Sequence, residues 1–144
     1  MSHQTFKGSI PSDRHYCRQY DMWIQECGGE ILIGVTSFGL FLAGEIIAFT
    51  AKPNGAEVTQ GRGMGTVECR KTVLAVHAPI SFRLITGNKT AEERPALINT
   101  DPFGAGWMAR VLPLAWNSEV TKLVDAASYR HHILSIEPEA CFED

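Results

Sequence analysis

Among the side chains that could carry chemistry, Lys71 has the most distinctive position, in the basic pair Arg70-Lys71 between two β-like runs. The runs cover residues 65–69 and 72–76, are rich in β-branched valine and show no helical period of apolar residues. If they pair as a hairpin, Lys71 lies at its tip, outside any core. A lone lysine at a turn is usually only solvated, so the pattern alone assigns it no chemistry.

The four cysteines have spacings that fit neither a zinc site nor the Cys-x-x-Cys motif of redox proteins. In a reducing cytoplasm we expect free thiols that pack as small hydrophobic side chains. Cys69 stands apart because it lies two residues from Lys71, where Arg70 would lower its pKa if the thiol were exposed. Packing remains the favoured interpretation for all four, which are Cys17, Cys27, Cys69 and Cys141.

The adjacent histidines His131 and His132 raise the question of a metal site. They fall in a stretch with a helical pattern, where neighbouring residues point to different sides, and no acidic or thiol partner lies four residues on. We therefore predict no metal site. The chain also lacks a Gly-x-Ser-x-Gly elbow, a His-Glu-x-x-His motif and a cluster of acids around a histidine, so no catalytic residue is assigned.

Composition limits the classes of partner. The 144 residues are 44% hydrophobic and 20% charged, and 13 basic and 16 acidic residues give a net charge of −3 without any block of like charge. This balance argues against nucleic acid or an anionic membrane as a partner, and no apolar run is long enough to span a bilayer. We expect a cytoplasmic protein with a loosely ordered lead-in over residues 1–15 and a single domain over residues 16–144.

The elements that must position Lys71 are mostly short strands, which predicts a β-rich α+β domain. Glycines 28 and 29 are expected to turn one hairpin, Thr36 or Ser37 to cap a short helix closed by Gly44, and Ser118 to cap a helix carrying Val120, Leu123 and Val124. The remaining expectations are strands over 22–26, 31–35, 45–50, 80–85 and 107–112, loop over 99–106, one helical turn over 89–94 and a helix over 126–134.

Short motifs on both sides of Lys71 resemble the lipoyl-carrying H protein family of the glycine cleavage system, over the chain from about Trp23 to Ile133. The family has Glu-Ser-Val-Lys-Ala around its modified lysine, where this chain has Glu68-Cys69-Arg70-Lys71-Thr72. Further motifs similar to the family's are residues 33–38, 44–47, 78–80 and 97–108, the last containing Asn-Thr-Asp-Pro-Phe-Gly-Ala-Gly-Trp-Met.

This resemblance implies the barrel-sandwich hybrid of lipoyl carriers, with small flanking helices and a C-terminal helical segment. It also implies lipoate joined to Lys71 by an amide, forming a swinging dithiol arm on a monomeric carrier that serves partner enzymes and is not itself an enzyme. A lipoate-protein ligase and a dihydrolipoamide dehydrogenase are the expected partners. Glu68, Cys69 and Arg70 flank the cofactor-binding lysine, and we expect Glu68 and Arg70 to contact the ligase.

Departures from the family bear on what the arm carries. Met22 stands where the family has a glutamate beside the methylamine-loaded arm, Ala75 replaces an aspartate that faces the same amino group, and Phe82 replaces a glycine. An apolar surrounding disfavours the cationic aminomethyl group, and these departures, together with Cys69, resemble the lipoate-binding proteins related to the H protein that serve sulfur oxidation. That resemblance implies sulfur intermediates as the cargo, carried to a heterodisulfide-reductase-like complex. The alternatives are a glycine cleavage H protein, shuttling methylamine between glycine decarboxylase and aminomethyltransferase, and an unmodified interaction domain.

Overall fold

The computed structural model describes residues 4–144, which form three β-sheets with short helices between the strands. The strands are β1 (Lys7–Gly8), β2 (His15–Cys17), β3 (Met22–Cys27), β4 (Glu30–Val35), β5 (Ile46–Ala51), β6 (Glu57–Val58), β7 (Gly63–Cys69), β8 (Thr72–His77), β9 (Phe82–Gly87), β10 (Ala109–Pro113) and β11 (Cys141–Phe142). The helices are α1 (Ser37–Ala43), α2 (Lys89–Glu93), α3 (Ala96–Thr100), α4 (Trp116–Glu119) and α5 (Ala126–Ile136), with a 3₁₀ turn over Val120–Lys122. The predicted β-rich α+β class is confirmed.

The largest sheet has six antiparallel strands in the order β2-β3-β4-β10-β9-β6. The predicted hairpin is confirmed, because β3 and β4 pair across Gly28 and Gly29. Both glycines have positive φ, 54° and 73°, a conformation that glycine adopts without a steric penalty. The strands predicted over 80–85 and 107–112 exist as β9 and β10, each beginning two residues later than expected.

A second antiparallel sheet has the order β5-β7-β8, which leaves β8 at an edge. The two sheets share one apolar core, to which the larger contributes Ile24 and Ile33 and the smaller contributes Phe49 and Val67. Alternation of buried and exposed residues along β7 directs one face of the small sheet into this core. In the part of the chain that is described, no helix is both long and apolar enough to cross a membrane.

Helix α1 is closed at both ends as the sequence predicts. The Thr36 side-chain oxygen accepts a hydrogen bond from the Gly39 backbone N–H at 3.0 Å, so Thr36 rather than Ser37 is the cap. Gly44 ends the helix with φ of 89°, and its N–H donates to the Leu40 carbonyl. The helix therefore stops where β5 has to begin.

The expectation of a loosely ordered lead-in is wrong for residues 4–15, whereas residues 1–3 lie outside the described part of the chain. Phe6 and Ile10 are buried, with 2% and 0% of their surface exposed, and β1 pairs in parallel with β11. The Phe6 ring meets the edge of Phe38 at 5.3 Å. Isolated apolar residues among polar ones have no period, so the pattern gave no sign of this packing.

The helix predicted from Ser118 is also wrong. Glu119 is buried and accepts hydrogen bonds from the Ser81 backbone N–H at 2.6 Å and from its hydroxyl at 2.7 Å, which holds α4 against β9. The chain is extended again at Leu123, and Val124 exchanges two backbone hydrogen bonds with Tyr16. Tertiary contacts thus override the apolar period. α3 forms where loop was expected, and the helix predicted from residue 126 is confirmed as α5.

Phe6→Ala should lower the free energy of unfolding by about 3–5 kcal/mol, because it leaves a cavity where the Phe6 ring packs against Phe38, Phe41 and Phe142. Lys7→Ala, at the exposed neighbouring position, should change it by less than about 0.5 kcal/mol. Urea-induced unfolding followed by circular dichroism measures both. Equal stability of the two variants would place residue 6 outside the core in solution.

Candidate functional site

The hairpin predicted around Lys71 is present and ends in a two-residue tip. β7 and β8 pair from Gly63↔His77 to Cys69↔Thr72, which leaves Arg70 and Lys71 as the turn. Lys71 is exposed, and the residues that follow it on β8 are exposed as far as Ala75. A side chain placed here extends into solvent.

The strand that leads to the tip is held on both sides. β7 lies between β5 and β8, and Cys69 is opposite Ile46 on one side and Thr72 on the other. Val67 and Cys69 point into the core, while Glu68 between them is exposed. The tip is therefore mounted on a strand whose register is fixed by buried side chains as well as by backbone hydrogen bonds.

Of the two charged residues expected beside Lys71, Arg70 has a partner that the sequence did not indicate. Its Nε donates to Glu45 Oε1 at 2.8 Å, joining the tip to the start of β5. Both side chains are more than half exposed, so the ion pair contributes little to stability. Glu68 lies on the exposed outer face of β7.

Cys69 is buried, with 4% of its surface exposed, and burial raises the pKa of its thiol. A thiol in this state is a poor nucleophile, because the reactive species is the thiolate. The expectation that Arg70 would lower this pKa required an exposed thiol, and Cys69 is not exposed. The packing interpretation therefore describes Cys69 better than a role in thiol chemistry. All four cysteines are free.

A cavity of about 310 Å³ opens between helix α1, strand β8 and the start of β3. We call it the α1–β8 cavity. It is lined mostly by apolar side chains: Met22, Val35, Leu40, Leu42, Ala43, Ile46, Val67, Leu74, Ala75, Val76 and Met108, with Tyr20, Asp21, Gly39 and His77 completing the wall. Met22 and Ala75, the two departures singled out in the sequence, thus lie in one cavity next to the hairpin that carries Lys71.

Asp21 is a cavity residue that sequence reasoning missed. Its carboxylate Oδ1 accepts a hydrogen bond from the Tyr129 hydroxyl at 2.8 Å, and burial raises its pKa. Its φ of 56° is the one positive value at a non-glycine residue within residues 4–144. An aspartate before a strand is not distinctive in sequence. Its role becomes apparent only in the folded chain, where α5 brings Tyr129 next to it.

The histidine pair behaves as a surface feature. His131 is exposed, and the His132 ring stacks on Tyr129 with centroids 6.0 Å apart. Within residues 4–144, no group of three or more His, Cys, Asp or Glu side chains is placed to hold a metal ion.

Comparison with known proteins gives a consistent result. A family model described as glycine cleavage H-protein matches residues 14–136. The glycine cleavage system H protein of Mycobacterium avium (strain 104) is 34% identical over 125 residues, which cover 84% of this chain and 94% of that protein. That of Myxococcus xanthus (strain DK1622) is 31% identical over 121 residues, covering 84% and 92%.

The crystal structure of a glycine cleavage system H protein from Mycobacterium marinum has a TM-score of 0.76 and 33% sequence identity, covering 86% of this chain and 98% of that one. This likeness confirms the predicted barrel-sandwich fold. Strands β1 and β11 lie outside the residues that the family model matches.

Alkylation of the unmodified protein with iodoacetamide at neutral pH should label the exposed Cys27 and Cys141 first. Burial raises the pKa of both Cys17 and Cys69, so these thiols should react only after urea unfolds the chain. Peptide mass spectrometry over time gives the order. If Cys69 reacted as fast as Cys27, its thiol would be accessible and the packing interpretation would fail.

Proposed function

The chain belongs to the glycine cleavage H-protein family, and from that premise we propose that Lys71 is the residue that carries its lipoate. Proteins of this family are lipoyl carriers, with the cofactor covalently attached to a lysine. The observation that carries the assignment is the position of Lys71, exposed at a two-residue tip of the β7–β8 hairpin. An enzyme that attaches a cofactor can reach this amine without disturbing the core.

The tip fits a covalently attached arm in two respects. Acylation would remove the charge of Lys71, which no buried group depends on since the side chain is in solvent. β7 and its neighbours keep the attachment point fixed while the arm swings. When bound, lipoate supplies a dithiolane that is reduced to two thiols and reoxidised through a mixed disulfide. The protein's part is to position the arm and to bind partners.

The surface around the tip fits a protein partner. Leu74 on β8 and Leu42 at the end of α1, which both line the α1–β8 cavity, are 40% and 53% exposed. Apolar side chains exposed together mark sites of protein contact. Glu68 and Arg70 flank the lysine, and we assign them to contact with the lipoate-protein ligase. The family implies glycine cleavage enzymes as further partners.

For the cargo of the arm, the relatives favour the aminomethyl group of glycine cleavage. All the related proteins described above are glycine cleavage system H proteins. The sulfur-oxidation role expected from the sequence, with its heterodisulfide-reductase-like partner, has no support among them. We therefore place the aminomethyl carrier first.

One observation favours the sulfur carrier as a second candidate. The wall of the α1–β8 cavity has Met22, only 2% exposed, and Ala75 at the two positions where the family resemblance implies acids. A thioether and a methyl group cannot offset the charge of an ammonium group, whereas an uncharged sulfur group loses little on entering an apolar cavity.

Lys71→Arg should abolish lipoylation, because guanidinium is not acylated by the ligase, while Lys52→Arg at another exposed lysine should leave it intact. Intact mass after co-expression with a lipoate-protein ligase measures the adduct. A lipoyl adduct that survived Lys71→Arg would overturn the assignment. No adduct on the unaltered chain from its native host would instead favour an unmodified interaction domain.

The cargo can be assigned by offering the lipoylated protein the two candidate groups in turn, the aminomethyl group and sulfur. Incubation with glycine and glycine decarboxylase should add an aminomethyl group to the arm, seen by intact mass and absent in Lys71→Arg. If no such adduct forms while the arm is fully lipoylated, the first candidate fails. Sulfur transfer from a persulfide to the reduced arm, which turns an arm thiol into a persulfide and the donor into a thiol, would then support the second.

A further inference from the structure

A basic groove lies between the β2–β3 turn, the 3₁₀ turn and helix α5. It consists of two adjoining depressions of about 530 and 390 Å³, which share Arg18 and His132 in their walls. We call it the Arg18 groove. The side chains that give it its polar character are those of Arg18, Gln19, Gln60, Lys122, His131 and His132.

The Arg18 groove is a local excess of positive charge on a chain whose net charge is −3. Among the residues that the structure describes, no Asp or Glu lines the groove. Within residues 4–144, Arg18 and Lys122 also take part in no ion pair, whereas Arg70, Arg83 and Arg110 each pair with a glutamate. The two permanent cations of the groove are therefore available to an anionic ligand.

Two acids lie beside the groove, and the fold already uses both. Asp125 caps α5, where its carboxylate accepts a hydrogen bond from the Ser128 backbone N–H at 2.8 Å. Asp21 accepts one from the Tyr129 hydroxyl at 2.8 Å. Burial raises the pKa of Asp21, and attraction to His132 opposes this effect. Neither carboxylate lines the groove, so its positive charge is not offset from within the wall.

Three elements hold the wall in place. Arg18 directly follows β2. Tyr16 of β2 and Val124 exchange two backbone hydrogen bonds, at 2.8 and 2.9 Å, which bring the 3₁₀ turn ending at Lys122 next to that strand. The buried Tyr129 of α5 stacks on Tyr16 with ring centroids 4.8 Å apart. Because the wall is formed before a ligand arrives, binding requires little ordering of the backbone.

The donors of the groove suit a peptide that carries carboxylates. Arginine and lysine only donate hydrogen bonds, and a histidine ring N–H can also donate to a carboxylate. The side-chain amides of Gln19 and Gln60 make no hydrogen bond within residues 4–144. An amide both donates and accepts, so these two groups can pair with the backbone of an extended segment.

The positive groups are spread along the groove. Arg18 and His132 lie where the two depressions meet, while Lys122 lines only one depression and His131 only the other. A single carboxylate or phosphate would leave the ends of such a groove empty, whereas an extended segment can contact its whole length.

Other polyanions fit the Arg18 groove less well. No Phe, Tyr or Trp of the described chain lines it, so nucleic-acid bases find no aromatic surface on which to stack. An anionic membrane is recognised by clusters of about four or more lysines and arginines, and this groove has Arg18 and Lys122 alone.

We propose that the Arg18 groove binds an extended acidic segment of a protein partner, with carboxylates of the segment on Arg18 and Lys122. None of the residues that line the groove belongs to the α1–β8 cavity or to the β7–β8 hairpin. A partner bound in this way is held beside the carrier while Lys71 stays accessible. The inference goes beyond the proposed function and does not depend on the attachment of lipoate to Lys71.

Binding is tested by amide NMR on the ¹⁵N-labelled full chain, titrated with a peptide of about ten residues in which Glu and Gly alternate. A peptide with Gln in place of each Glu is the control. The amides of the groove should shift with the Glu peptide and stay unchanged with the Gln peptide. Raising the salt concentration from about 50 mM to about 0.3 M should weaken binding, because salt screens exposed charges.

Two double variants locate the binding. Arg18→Gln/Lys122→Gln should weaken the affinity for the Glu peptide about fivefold, since two exposed charge contacts are lost. The matched control is Lys52→Gln/Arg94→Gln, which also removes one exposed lysine and one exposed arginine but lies outside the groove. Its affinity should match that of the unaltered chain. Unchanged amide shifts far from the substitutions confirm that each variant is folded.

Several results would overturn the inference. Equal weakening in both double variants would mean that the peptide responds only to net charge, and shifts confined to the β7–β8 tip would place binding elsewhere. Inorganic phosphate producing the same shifts at the same concentration would indicate a site for any small anion. Tighter binding of a single-stranded DNA of about ten nucleotides, lost in Arg18→Gln/Lys122→Gln, would assign the groove to nucleic acid.

Failure of this inference is distinguishable from failure of the proposed function. The peptide titration uses protein without lipoate, whereas the assignment of Lys71 is judged by the mass of the lipoyl adduct. Absence of peptide binding together with a normal adduct would refute the Arg18 groove alone. Peptide binding without any adduct would refute only the role of Lys71.

Discussion

The register of β7 against its two neighbours is the constraint on which the rest of the structure depends. Cys69 and Val67 point into the core, and Glu68 between them points out, so a shift by one residue would bury the glutamate and expose the apolar pair. The same register places Arg70 and Lys71 at the turn. Burial of Cys69 therefore helps to fix which residue reaches the tip. This effect on Lys71 comes from packing and does not depend on the reactivity of the thiol.

A second set of contacts joins distant segments around the α1–β8 cavity. Thr36 caps α1 and shares a hydrogen bond with Tyr129 of α5. Tyr129 in turn donates a hydrogen bond to Asp21. Tyr16 stacks on Tyr129 at 4.8 Å between ring centroids, which adds β2 to the assembly. A buried polar group is stable only when its donors and acceptors are matched, and here each of the two hydroxyls donates one hydrogen bond and accepts another. The cavity wall is thus shaped by elements that are far apart in the chain.

Local signals allowed much of the small sheet and the hairpin around Lys71 to be predicted, whereas attachment of lipoate at Lys71 was implied only by the family resemblance. Paired β-branched runs around Arg70-Lys71, glycines at positive φ in the β3–β4 turn, and a threonine cap before α1 each act within a few residues. What could not be predicted depends on contacts across the fold. The helix predicted from Ser118 does not form because Ser81 binds Glu119 at the end of α4, and Phe6 is ordered because Phe38 covers it. The resemblance pointed to Met22 and Ala75 as replaced acids, but only the folded chain shows Asp21 beside them.

The two-residue turn at the end of the β7–β8 hairpin also sets how Lys71, the proposed attachment point, can move during divergence or engineering. Adding one residue pair, one to each strand, would carry the lysine outward by about 3.3 Å and turn it to the opposite face of the ribbon, whereas two pairs restore its original direction. The arm's origin can therefore change only in discrete steps, and its usable heights above the sheet differ by about 7 Å. A hairpin of this kind resists gradual adjustment, so small changes in reach must come from the length or flexibility of the cofactor rather than from the protein.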